Sequence, residues 1–274
     1  MLQKRTAYFI SDRTGITAEM LGHSLLTQFD MVDFNEVTLP FVDSVEKARI
    51  AVQQIETQGA ADGARPLVLS TLVNQQVSAV IAKAHALFLD CFDIFIRPLE
   101  KELGVPASHA VGLSHSANDA ANYLNRIEAV NYSLSHDDGV STRDLADANV
   151  ILMGVSRCGK TPTCLYLAMQ FGIRAANYPL SPEDFSNMQL PGQVRNLRRK
   201  LYGLTIKPPR LQQIRGEQQP GSAYATLANC EFEIREAEML MRHEGIPFLD
   251  ATSKSVEELA TTILHEAKLV RRVY

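Results

Sequence analysis

The sequence predicts an α/β protein built from two α/β domains. Three observations predict it: β-rich runs alternate with helix-period segments, a glycine loop stands between a strand-like and a helix-like stretch, and the chain is 274 residues long. The loop decides the C-terminal half. Residues 154–161 read Gly-Val-Ser-Arg-Cys-Gly-Lys-Thr and match G-x-x-x-x-G-K-[ST], after the apolar run 150–153. Two glycines let the backbone curl so that its N–H groups face phosphate, while Lys160 supplies a point charge and Thr161 a hydroxyl for a magnesium ion. The expected binding set is Gly154, Val155, Ser156, Arg157, Cys158, Gly159, Lys160 and Thr161, with Thr161 as the metal ligand. This half is predicted to be a P-loop kinase-like parallel sheet flanked by helices.

Along the chain, 7–10 is strand-like, and Ile16, Met20, Leu21, Leu25 and Phe29 recur at helical spacing. Residues 36–39 read as a second strand. Asp43 and Ser44, with Glu46 following, open a helix whose apolar stripe is Val45, Ala48, Val52 and Ile55, and 59–63 breaks it. A third strand spans 66–70, and 77–103 reads as one long helical region kinked at Pro98. Residues 104–120 read as loop and 121–132 as a short helix. The domain boundary is set at 146/147, giving domains 1–146 and 147–274. Strand 149–153 then leads into the glycine loop, helix 160–171 ends at Gly172, and a strand spans 175–178. Residues 246–252 read as the last strand. Ser255 and Glu258 form a capping box for a helix with Val256, Leu259, Ala260, Ile263, Leu264 and Ala267 inward.

A hydrophobic share of 46% with 21% charged residues is that of a soluble globular protein, and the net charge of −4 lacks a long basic block. That excludes a general nucleic-acid or anionic-membrane surface. No apolar run approaches the ~18 residues of a membrane span, and the first residues run straight into a strand, so a cytoplasmic location is expected. The four cysteines, 91, 158, 164 and 230, have neither zinc spacing nor a disulfide pattern. Cys158 reads as a small filler of a variable loop position before it reads as a redox-sensitive thiol.

Phosphoryl transfer asks for positioning, charge neutralisation and an acid to accept a hydroxyl proton. His136-Asp137-Asp138-Gly139 is the best acid candidate, and His136, Asp137, Asp138 and Lys160 form the expected catalytic set. Adjacent carboxylates of an extended segment face opposite ways, so one Asp is expected at the acceptor hydroxyl and the other capping a turn. Ser11 to Thr17 stand after the first strand, where an α/β sheet presents its crevice, either as a ligand site or as helix N-caps. Arg195, Arg198, Arg199, Lys200, Lys207, Arg210 and Arg215 read as a cover for phosphates, a docking site for an acidic partner, or a solvated face. Leu249-Asp250 is the nearest approach to a Walker B strand end.

The run from Gly154 to Leu180 closely resembles the phosphoenolpyruvate synthase regulatory proteins. Supporting segments are Phe9 to Asp12, Thr14 to Glu19, Leu39 to Val42, Arg65 to Leu67, Tyr123 with Arg126-Ile127, His136 to Gly139, Leu201 with Gly203 to Ile206, and Ser255 to Glu258. The resemblance implies a bifunctional enzyme. ADP donates its β-phosphoryl group to a threonine of phosphoenolpyruvate synthase, inactivating it, and inorganic phosphate removes the group as pyrophosphate, with Mg2+ assisting. A sister branch acts on pyruvate, phosphate dikinase and has Ser where Gly159 stands. Arg13 departs from an expected small residue and Gln218 from an expected basic one. A dikinase target and a non-catalytic nucleotide-sensing module stay open as alternatives, as does a homodimer.

Overall fold

The computed structural model describes residues 3–108, 119–138, 144–185 and 188–272, so Gly139 and the expected loop residues 109–118 lie outside the described residues. Two all-parallel four-stranded sheets, each flanked by helices, carry the two α/β units. The units are 1–114 and 115–274.

In the N-terminal unit β1 (Gln3–Ile10) is flanked by β2 (Val32–Leu39) and β3 (Leu67–Ser70), with β4 (Leu87–Asp90) outside β3. The period of two in β1 sets the layers. Tyr8 and Ile10 join Ala48, Ala51 and Ile55 of α2 (Val45–Asp62) and Val77 and Ile81 of α3 (Gln75–Ile81). Ala7 and Phe9 join Ala18 and Leu26 of α1 (Ile16–Leu26) in a separate cluster. Gly22 is required there, since a Cβ would stand 2.1 Å from the Phe9 ring.

The expected stripe of α1 is corrected by this packing. Ala18, Gly22 and Leu26 are buried, while Ile16 is 59% and Met20 67% exposed. The single helical region 77–103 is also corrected, because it contains α3, β4 and α4 (Asp93–Leu103), and Leu87 pairs with Leu67 across the sheet. Four residues, three of them apolar, carry no period that separates strand from helix. α2 is capped by Ser44 and continues through Gly59 to a left-handed Gly63.

In the C-terminal unit β5 (Val150–Val155), buried along its whole length, lies between β6 (Ala175–Leu180) and β7 (Leu201–Thr205), with β8 (Phe248–Asp250) outside β7. α5 (Asp119–Ser135) packs on β6 and on α6 (Lys160–Phe171). The boundary expected at 146/147 is therefore too late, because this helix buries its contacts on the C-terminal sheet. Short helices α7 (Pro182–Phe185) and α8 (Gly192–Arg195) precede β7. α9 (Pro208–Gln218) and α10 (Leu227–His243) follow it, and α11 (Val256–Glu266) carries the Ser255/Glu258 capping box. Leu259, Ala260, Ile263 and Leu264 are buried as expected, whereas Ala267 is exposed just past the last turn.

Candidate functional site

The loop 154–161 leaves the carboxyl end of β5, with β6 on one side and β7 on the other. That is the point where strand order reverses and open α/β sheets bind ligands. Gly154 is dictated by proximity: a Cβ would lie 2.2 Å from the Leu204 carbonyl oxygen on β7. Left-handed residues Arg157 (φ 73°) and Gly159 (φ 96°) curl the segment before α6 begins at Lys160. The Lys160 ammonium, 3% exposed by residue, donates to the Val155 carbonyl at 2.8 Å and stands 4.0 Å from the Cys158 sulfur. Burial raises the pKa of the Cys158 thiol despite the nearby lysine, so it is protonated at neutral pH and behaves as filler. A cavity of about 200 Å3 opens at the loop, lined by Asp138, Arg157, Lys160, Thr161, Ile214 and Gln218 among others.

Beside the loop, one buried amide gathers the polar groups. Asn177, in the middle of β6 and 3% exposed, places Nδ2 2.6 Å from Asp137 Oδ1, 3.0 Å from Thr161 Oγ1 and 3.1 Å from Asp138 Oδ1. The Thr161 hydroxyl donates to Asp137 Oδ1 at 2.8 Å. The expected separation of the two carboxylates is overturned. Asp138 has φ 48°, which breaks the alternation of an extended segment and lets both neighbours reach one point. His136 anchors them: its ring stacks on Tyr132 at 4.0 Å, Nδ1 is 2.8 Å from the Tyr132 carbonyl, and its own carbonyl accepts the Asn177 N–H at 2.9 Å. Hydroxyl and carboxylate oxygens are the donors magnesium prefers, so this group fits that ion.

A family model for kinase/pyrophosphorylase proteins matches residues 7–264. The chain belongs to the kinase/pyrophosphorylase family. Relatives named "Putative phosphoenolpyruvate synthase regulatory protein" match it end to end. The one from Azoarcus sp. (strain BH72) is 56% identical over 271 residues, 98% of each chain. That from Herminiimonas arsenicoxydans is 52% identical over 268 residues, 98% of this chain and 95% of the relative, and that from Pseudomonas aeruginosa (strain LESB58) 52% over 272 residues, 99% of each. The resemblance drawn from Gly154 to Leu180 is borne out.

In this kinase/pyrophosphorylase chain the basic segment is mostly consumed by structure. Arg195 donates to the Leu190 carbonyl, Arg198 pairs with Glu244 at 3.3 Å, and Lys200 donates to the Ala148 carbonyl at 2.8 Å. Arg215 is fully buried on α9, pairing with Glu233 at 2.7 Å and donating to the Ser156 carbonyl of the loop at 3.1 Å. Ser11 to Gly15 knit the end of β1 to its neighbours: Asp12 accepts from Val73 N–H, Ser11 Oγ from Arg13 N–H, and Gly15 caps α1 with no side-chain bond. Asp250 lies two strands from β5 and accepts from Thr252. Among the described residues no helix is long and apolar enough to cross a membrane.

Sequence reasoning missed Asn177, Ile214 and the Arg215–Glu233 pair. Asn177 had a signal, a polar residue at the centre of a buried parallel strand beside the loop-bearing one. Ile214 had none, and Arg215 was visible only as one cation of the basic run, since the place of both depends on how α9 lies against the loop.

Proposed function

We propose that this chain is a cytoplasmic, bifunctional regulator of phosphoenolpyruvate synthase. It phosphorylates a target threonine with ADP, inactivating the enzyme, and removes the group with inorganic phosphate, releasing pyrophosphate. The observation that carries this reading is the convergence of Thr161, Asp137 and Asp138 on one amide beside the glycine loop, in a chain whose relatives bear the regulator's name.

In the forward direction the threonine oxygen attacks the β-phosphorus of ADP, the bond to the bridging oxygen breaks, and AMP leaves. In the reverse, an oxygen of inorganic phosphate attacks the phosphothreonine phosphorus, and the threonine oxygen leaves and regains its proton. Asp138 is the proton acceptor, since it is exposed and lines the loop cavity. Asp137 accepts the Thr161 proton and belongs with it on the metal side. Thr161 and Asp137 would hold magnesium, which when bound neutralises charge on the transferred phosphoryl group. Lys160 leaves the Val155 carbonyl for the β-phosphate, and Arg157 meets phosphate oxygens from the loop's rim.

Intact-mass spectrometry tests the proposal. Phosphoenolpyruvate synthase in its phosphohistidine form is incubated with the chain and either ADP or ATP, then with phosphate. The expected result is one phosphothreonine formed with ADP and lost to phosphate as pyrophosphate accumulates. No modification of an active target, or modification by ATP alone, refutes it.

A further inference from the structure

Resting on the phosphoryl-transfer reading, we propose that Asn177 is a positioning residue that divides labour between two adjacent carboxylates. It fixes Asp137 on the Thr161 hydroxyl, the metal side, and leaves Asp138 to the cavity as proton acceptor. Its amide nitrogen has two hydrogens and three oxygens within 3.1 Å. The shortest contact, 2.6 Å, falls on Asp137 Oδ1, which also receives the Thr161 hydroxyl. Two donors on one oxygen pin the Asp137 carboxylate beside the Thr161 hydroxyl. Asp138 takes the longest contact, 3.1 Å, and stays exposed at the cavity.

Two further features separate this role from packing. Asn177 Oδ1 is buried with no partner among the described residues, a cost that an apolar residue of equal size would not carry. Turning the amide over to find a partner for that oxygen would bring it against two carboxylate oxygens, so the cluster itself sets the orientation. The backbone N–H of the same residue bonds the His136 carbonyl, which ties the strand to the segment presenting both acids. The ionisable groups that bond the amide are Asp137 and Asp138, and next to it on the strand the Ala176 carbonyl accepts from Cys164 on α6.

The test uses the full chain with Mn2+ as the metal probe. Manganese binding to the ADP complex is followed by electron paramagnetic resonance, and ADP binding in chelator by calorimetry, for wild type, Asn177→Leu and Asn177→Ser. Asn177→Leu is expected to weaken Mn2+ binding about tenfold, the usual effect of losing a residue that orients a ligand, with ADP affinity in chelator unchanged. Asn177→Ser, which keeps one donor, recovers part of the loss and decides alone if the leucine variant does not fold. Unchanged Mn2+ affinity, or Mn2+ and ADP affinities falling in parallel, overturns the role of Asn177 and leaves the phosphoryl-transfer reading standing. A wild-type chain that binds no Mn2+ with ADP overturns both.

Discussion

Arg215→Met isolates what holds the glycine loop to its supporting helices. The guanidinium is fully buried, pairs with Glu233 at 2.7 Å, donates to the carbonyls of Ser156 and Tyr224, and lies 3.9 Å from the centre of the Tyr224 ring. Methionine fills much of the volume but leaves the Glu233 carboxylate, 9% exposed, without its cation. Removing one partner of a buried pair costs about 3–5 kcal/mol, chiefly the desolvation of the charge left behind. For a unit spanning 115–274 that is a fall in Tm of roughly 6–20 °C. Differential scanning calorimetry resolves the transition of this unit. Arg215→Met/Glu233→Leu, which removes both charges, should regain most of the loss. A single substitution costing less than about 1 kcal/mol, or a double variant no more stable than the single, refutes the reasoning, because an exposed pair behaves in that way.

Lys160→Ala should slow phosphoryl transfer by at least ~3 kcal/mol of transition-state stabilisation, the scale of one lost electrostatic clamp, and unchanged formation of phosphothreonine sinks the assignment. Cys158 should resist maleimide at pH 8 in the native chain and react once urea unfolds it, since burial holds its thiol protonated; equal rates contradict the packing. Burial pushes Tyr132 from 10.0 up to about 12 and raises Tyr8, Tyr178 and Tyr202 as well. The folded state therefore holds these protons more tightly, so their contribution is intact below pH 10 and is lost as pH rises towards 12. Tm should fall across that window and less steeply in Tyr132→Phe; a flat profile rules the linkage out.

The sequence by itself determined what is written in local pattern. The spacing of Gly154, Gly159, Lys160 and Thr161 announced a strand, a loop and a helix, and β5 and α6 lie there because the required glycine conformations and the apolar run are properties of neighbouring residues. The capping box at Ser255 and Glu258 was legible for the same reason, as one turn contains both partners. The acidic segment was half legible: Asp137 and Asp138 were named, but their convergence needed the left-handed turn at Asp138 and an amide about forty residues away on β6. Strand β4 was hidden because Leu87 to Asp90 is too short to show a period, and only pairing with β3 decided its form. Tertiary structure alone turned a basic run into separate devices. Arg215 braces the loop at Ser156 while Arg198 and Lys200 hold other elements, because a cation's role is set by which carbonyl or carboxylate the fold brings to it. Charge is local in the chain, whereas its partner is chosen by packing.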